Sequence, residues 1–198
     1  MDLRHATFSF RANGVGLTEV ARKGDKTMAW DTTLRKSGKT NESIAHIILS
    51  KFECGDTPAG IMFTLGGMYV DEFITKVSKK ALKRIKRANS KSIIKGKGVK
   101  YNSIRPVKMG VTIEHTLPIN ELYSHFKELF EESRLTEKYI VEFMKNLFVA
   151  VITKDENIKL SKAGYNMSMP NGNWKVGCFD PLERYRAAKL PDSIWAKI

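Results

Sequence analysis

The sequence predicts an α+β fold, with short strands set in a largely helical frame. Three observations carry that expectation. Val107, Met109, Val111 and Ile113 alternate with Lys108, Gly110, Thr112 and Glu114, the period of two of a half-buried strand ending at His115. Leu147-Phe-Val-Ala-Val-Ile152 is an unbroken apolar run, as expected of a strand buried on both faces. Elsewhere apolar residues recur at helical spacing: Phe73, Val77, Ala81 and Ile85 within Tyr69 to Arg87, and Leu122, Phe126, Leu129 and Phe130 after Pro118.

The remaining elements follow from local signals. Thr7-Phe-Ser-Phe10 reads as a short strand and Asn13-Gly-Val-Gly16 as a turn. A helix is expected from Asn41, its cap, to Phe52, closing before Gly55. The long helix from Tyr69 gives way to Asn89-Ser-Lys-Ser92 and Lys95-Gly-Lys-Gly98, which read as a flexible basic loop. Pro118 suits a first helical turn, and Thr136 caps a further helix carrying Tyr139, Ile140, Phe143 and Leu147. Thr153-Lys-Asp-Glu156 is a capping box for a helix that Gly164 ends, and Asp180-Pro-Leu-Glu183 starts a last short helix. His46 falls in an apolar helix and is expected to be packed; His125 falls on an acidic one and is expected at the surface.

Charge narrows the function. The chain has 198 residues and a net charge of +13, which implies a polyanionic partner. The excess is concentrated: Thr75 to Lys108 holds thirteen Lys or Arg and no Asp or Glu. Like charges at that density repel one another unless a polyanion neutralises them. Lys79, Lys80, Lys83, Arg84, Lys86, Arg87, Lys91, Lys95, Lys97, Lys100 and Arg105 are therefore the expected nucleic-acid contacts, made to phosphates and without sequence choice. No run of 18 apolar residues is present, so no membrane span is expected, and the N-terminus lacks a signal-peptide core. Cys54 and Cys178 are too few for a disulfide framework and fit a reducing, cytoplasmic setting.

A strand ending in Glu114-His115, a later strand and a capped helix together resemble the HNH, or ββα-metal, endonuclease superfamily. The residues that carry the resemblance are Glu114-His115-Thr-Leu-Pro118, then Asn146-Leu147, then Asn157, across roughly residues 105–165. The resemblance implies a ββα-metal unit embedded in the helical basic frame. It implies metal-dependent hydrolysis of DNA phosphodiester bonds, with His115 as general base and Asn146 orienting its imidazole. Glu114 and Asn157 would offer oxygen ligands to Mg²⁺ or Mn²⁺. Asp155 is the alternative ligand to Asn157, and Asn120 the substitute for Asn146. Two other readings stay open: an RNase with the same machinery, and a non-catalytic nucleic-acid-binding protein. A homodimer would suit double-strand cleavage at a symmetric site. The chain then divides into a mixed region at 1–67, a basic helix and loop at 68–104, the ββα unit with a helical insertion at 105–165, and a C-terminal loop and helix at 166–198.

Overall fold

Hydrogen-bonding side chains set where the helices begin. The computed structural model describes residues 39–68, 71–171, 174 and 180–198, so the expected strand at Thr7–Phe10 and turn at Asn13–Gly16 lie outside the described residues. Helix α1 (Asn41–Glu53) is capped one residue earlier than expected, by Thr40, whose hydroxyl accepts from the Ser43 amide. Helix α2 (Pro58–Met68) was not foreseen: Gly60, Gly66 and Gly67 argue against helix by propensity. Burial of Ile61, Leu65 and Met68 against the core overrides them, and the Thr57 hydroxyl accepts from the Gly60 amide at its start.

The long helix expected from Tyr69 is shorter than its apolar spacing suggests. Phe73–Ile74 (β1) and Lys76–Val77 (β2) are strands, and helix α3 runs only from Lys79 to Ala88. Phe73 and Val77 matched the helical stripe by coincidence of spacing; Ser78, whose hydroxyl accepts from the Ala81 amide, is the true cap. The segment after α3 is built rather than loose. A 3₁₀ turn at Ser90–Ser92 leads into a hairpin of β3 (Ile93–Ile94) and β4 (Gly98–Lys100), with Lys95-Gly-Lys97 at its tip. Gly98 has φ +119°, and a Cβ there would stand 2.4 Å from the Ile74 carbonyl oxygen, so only glycine fits between the strands.

The strand expected from Val107 begins later. Pro106–Met109 forms one helical turn, α4, closed by Gly110 in the left-handed conformation, and strand β5 covers Val111–His115. Alternation over four residues fits a helical turn as well as a strand when proline opens it. Helix α5 (Ile119–Glu131), helix α6 (Glu137–Met144) capped by Thr136, and strand β6 (Val149–Thr153) match their sequence signals. Every residue of β6 is buried, as the apolar run predicts. Helix α7 (Lys154–Lys162) makes both bonds of its capping box, and helix α8 (Glu183–Ala187) follows the Asp180 signal.

These strands form two sheets: β1-β4-β3, antiparallel, and β2-β6-β5. In the second, β2 runs parallel to β6 and β5 antiparallel, with Ile113 opposite Val151 and Glu114 opposite Ala150. Val77, Val111, Val149 and Val151 face the main core, which α1, α2, α5 and α6 complete. Ala150 and Ile152 face a second apolar cluster with Leu160, Tyr185, Ala188 and Leu190. The C-terminal segment also closes the outer edge of β2, where the Ala196 amide donates to the Val77 carbonyl.

The two histidines expected at the surface and in the core exchange places. His125 is 4% exposed and its Nε2 lies 2.8 Å from the Tyr139 hydroxyl, because it shares the stripe of Leu122, Phe126 and Leu129. His46 is exposed beside Glu137, with 2.8 Å between Nδ1 and Oε1.

Candidate nucleic-acid interface and the Glu114–His115 strand end

Helix α3 separates its residues cleanly. Ala81 and Ile85 are fully buried, while Lys79, Lys80, Lys83, Lys86 and Arg87 are exposed. None of these five cations has an acidic partner among the described residues. Lys80, Lys83, Arg84 and Arg87 line a surface hollow of ≈ 230 Å³. Arg84 differs from its neighbours. Its Nη1 donates to the Gly110 carbonyl at 2.5 Å, and its Nη2 to Asp155 Oδ2 at 3.2 Å.

The other expected contacts are of two kinds. Lys91 and Lys95 are exposed on the turn and the hairpin tip. Lys97 lies over the Phe73 ring at 5.7 Å, Lys100 is 3.9 Å from Glu72, and Arg105 donates to the carbonyls of Asn102 and Ile104. These last three are held by local partners and offer less to a ligand.

At the far end of β5 the arrangement is different in kind. Neighbours on a regular strand point to opposite faces, and Glu114 and His115 do so. Glu114 faces the second cluster, where Arg184 Nη2 donates to its Oε2 at 3.0 Å. Arg184 is 1% exposed and also donates to the carbonyls of His115 (2.8 Å), Tyr165 (2.9 Å) and Asn166 (3.2 Å). Burial raises the Glu114 pKa, and the Arg184 charge opposes that rise. Tyr185, beside Arg184, is pushed up to about 12 by burial. His115, on the main-core side, is lowered to about 4 by burial and then by the Arg184 charge, against a hydrogen bond with the Gly66 backbone. At neutral pH its imidazole is uncharged.

The remaining site residues lie on other segments. Asn146 is exposed in the turn between α6 and β6. Asn157 lies on α7, its side-chain oxygen buried with no hydrogen-bond partner among the described residues. Asn120 donates to the Met167 carbonyl at 3.1 Å. Asp155 is exposed and paired with Arg84. Glu156 is consumed structurally, accepting from Ser78 Oγ (2.7 Å), the Thr153 amide (2.7 Å) and Thr153 Oγ1 (2.8 Å).

The structural roles of Arg184 and Ser78 are what the sequence alone does not reveal. Ser78 carried a local signal, as a helix-capping residue three positions before Ala81. Arg184 carried none, because its partner Glu114 lies 70 residues away.

No protein-family model, curated protein or solved structure matches this chain. Among the described residues no group of three or more His, Cys, Asp or Glu is placed to hold a metal, and no helix is long and apolar enough to cross a membrane. Oε2 of Glu114 is already held by the buried Arg184 guanidinium, whose charge would repel a divalent cation brought to the same carboxylate.

Proposed function

We propose that this protein binds the phosphate backbone of nucleic acid through the outer face of α3, extended by Lys91 and the hairpin tip. The observation that supports this reading is the set of five exposed cations on one ten-residue helix without an acidic partner among the described residues. A surface selected only for solubility would intersperse charges of both signs. Contacts to phosphates give affinity without sequence discrimination. The test is anisotropy of a labelled DNA duplex against salt concentration. The logarithm of affinity is expected to fall linearly with log salt, with a slope of about −0.9 for each phosphate contacted. A slope near zero, or no binding at low salt, sinks the reading.

A second reading is metal-dependent hydrolysis of DNA by the HNH-like unit. It is favoured by the element order, an antiparallel β5–β6 pair followed directly by α7, and by the unsatisfied oxygen of Asn157. It requires Glu114 to leave Arg184 before a metal ion is held. Nicking of supercoiled plasmid with Mg²⁺ or Mn²⁺, lost with EDTA and in His115→Ala while binding persists, would establish it. Full binding without cleavage under any metal leaves the binding role alone.

A further inference from the structure

We propose that the hollow on α3 is a seat for one phosphate group, with Arg84 as its fork and Asp155 as the group that the phosphate displaces. This rests on the nucleic-acid reading above and names the anchoring contact within it.

Lys80, Lys83, Arg84 and Arg87 are spaced i, i+3, i+4 and i+7, so they stand along one face over about 10 Å of helix. All four line the one surface hollow. Within that set Arg84 alone has its guanidinium fixed. The Gly110 carbonyl holds Nη1, and that carbonyl also accepts from the Lys154 amide, so it belongs to the junction of β5 and α7. Position 110 favours glycine: its φ is +63°, and a Cβ there would crowd Arg84 Nη1 at 3.0 Å.

Asp155 is the weaker of the two partners of Arg84. Its side chain is 76% exposed, and an exposed ion pair of this kind contributes little. A backbone phosphate carries the same single charge as a carboxylate, but it can pair with a guanidinium in two parallel hydrogen bonds where Asp155 makes one. Lys80, Lys83 and Arg87 line the same hollow and add attraction for an anion seated there. The displaced carboxylate passes to water, where it is already largely solvated. The Gly110 bond keeps the guanidinium placed throughout, so the seat is organised before the ligand arrives.

The experiment uses the full chain and two probes. Anisotropy of a fluorescein-labelled 16-base-pair DNA duplex is measured at fixed salt for the wild type, Arg84→Lys, Asp155→Asn, Arg84→Ala, the Arg84→Ala/Asp155→Asn pair, and Lys91→Ala as a cation outside the hollow. Inorganic pyrophosphate is titrated by calorimetry against the wild type and Arg84→Lys. Arg84→Lys, which keeps the charge and loses the fork, is expected to weaken duplex binding about tenfold. Asp155→Asn is expected to tighten it, and that gain is expected to vanish when Arg84 is alanine. Lys91→Ala changes affinity less than Arg84→Lys. A gain from Asp155→Asn of equal size in both backgrounds is general electrostatics and overturns the seat. So does duplex binding by Arg84→Lys at wild-type strength, which leaves the nucleic-acid reading standing. Pyrophosphate binding that depends on Arg84, without duplex binding, supports the seat and ends the nucleic-acid reading. Should Arg84→Ala fail to fold by its thermal melt, Lys83→Ala/Arg87→Ala replaces it: loss of pyrophosphate binding there supports the hollow, and retention overturns it.

Discussion

The outer face of α3 and the space between α8 and the β2-β6-β5 sheet both hold positive charge, and they use it in opposite ways. On α3, Lys79, Lys80, Lys83, Lys86 and Arg87 stand in water with no acidic partner among the described residues. Beneath α8, Arg184 is almost wholly buried and donates to Glu114 and three backbone carbonyls. A cation in the interior is tolerated only when its hydrogen bonds and charge are met inside the protein. A cation on the surface needs no such partner, so a one-sign surface cluster marks demand from outside. Arg184 is thus placed to serve stability, and α3 is the face proposed for binding, although sequence composition counts them alike.

That contrast breaks if removing Arg184 does little to folding. Arg184→Met leaves the Glu114 carboxylate buried without its cation, and a loss of about 3–5 kcal/mol is expected in urea unfolding. The Glu114→Leu/Arg184→Met pair removes both charges and is expected to recover much of that loss. Equal losses in the single and the pair would show that the ion pair is not what holds this junction.

The contrast sharpens on α3, where binding and stability should separate. Lys79→Glu/Lys83→Glu/Lys86→Glu removes three phosphate contacts and is expected to make the slope of log affinity against log salt shallower by about 2.7. Stability is expected to change by no more than about 0.5 kcal/mol per position, since surface substitutions rarely do more. Unfolding of the triple variant would place α3's charge in the fold rather than in binding.

Ser78→Ala sits between the two regions. It removes the cap of α3 and one hydrogen bond to buried Glu156, so a loss of about 1–2 kcal/mol is expected, read as a lower midpoint in urea. Duplex affinity measured well below the unfolding transition should change little.

Stability is also expected to depend on pH. The folded pKa of His115, about 4, lies below its ordinary value of 6.5, so the unfolded chain takes up the proton first as pH falls. The His115 contribution to stability is level above pH 6.5 and declines between 6.5 and 4, by no more than about 1.4 kcal/mol per pH unit. Glu114, raised above its ordinary value of 4.5, works in the opposite sense: its contribution is lost as pH rises through its folded pKa. Comparing the wild type with His115→Gln from pH 4 to pH 7 isolates the histidine. An unchanged profile in the variant would place His115 in water rather than against the core.

Local patterning made part of this molecule legible. The buried strand β6, the Thr136 cap and the Thr153–Glu156 box are each written within a few residues, and the structure reproduces them. Helix α2 was hidden because tertiary burial outweighed its glycines, and α4 because proline and a four-residue alternation fit two periods at once. The assignment of Glu114 and His115 to opposite faces follows from strand geometry and was readable. What Glu114 faces was not. Arg184 lies in Glu-Arg-Tyr-Arg, which reads as an ordinary polar helix, and only the folded chain brings it to the strand end.

The carboxylate of Glu156 serves two helices at once, accepting from Ser78 at the head of α3 and from Thr153 at the head of α7. Those helices depart from neighbouring parallel strands, so a single side chain pins both starts to one point. Fraying of either end removes a hydrogen bond from the other, and the two cannot loosen independently. Amide exchange at Ala81 and at Glu156 should therefore proceed with one opening free energy, and a polyanion that steadies α3 should slow exchange in α7, which it never touches.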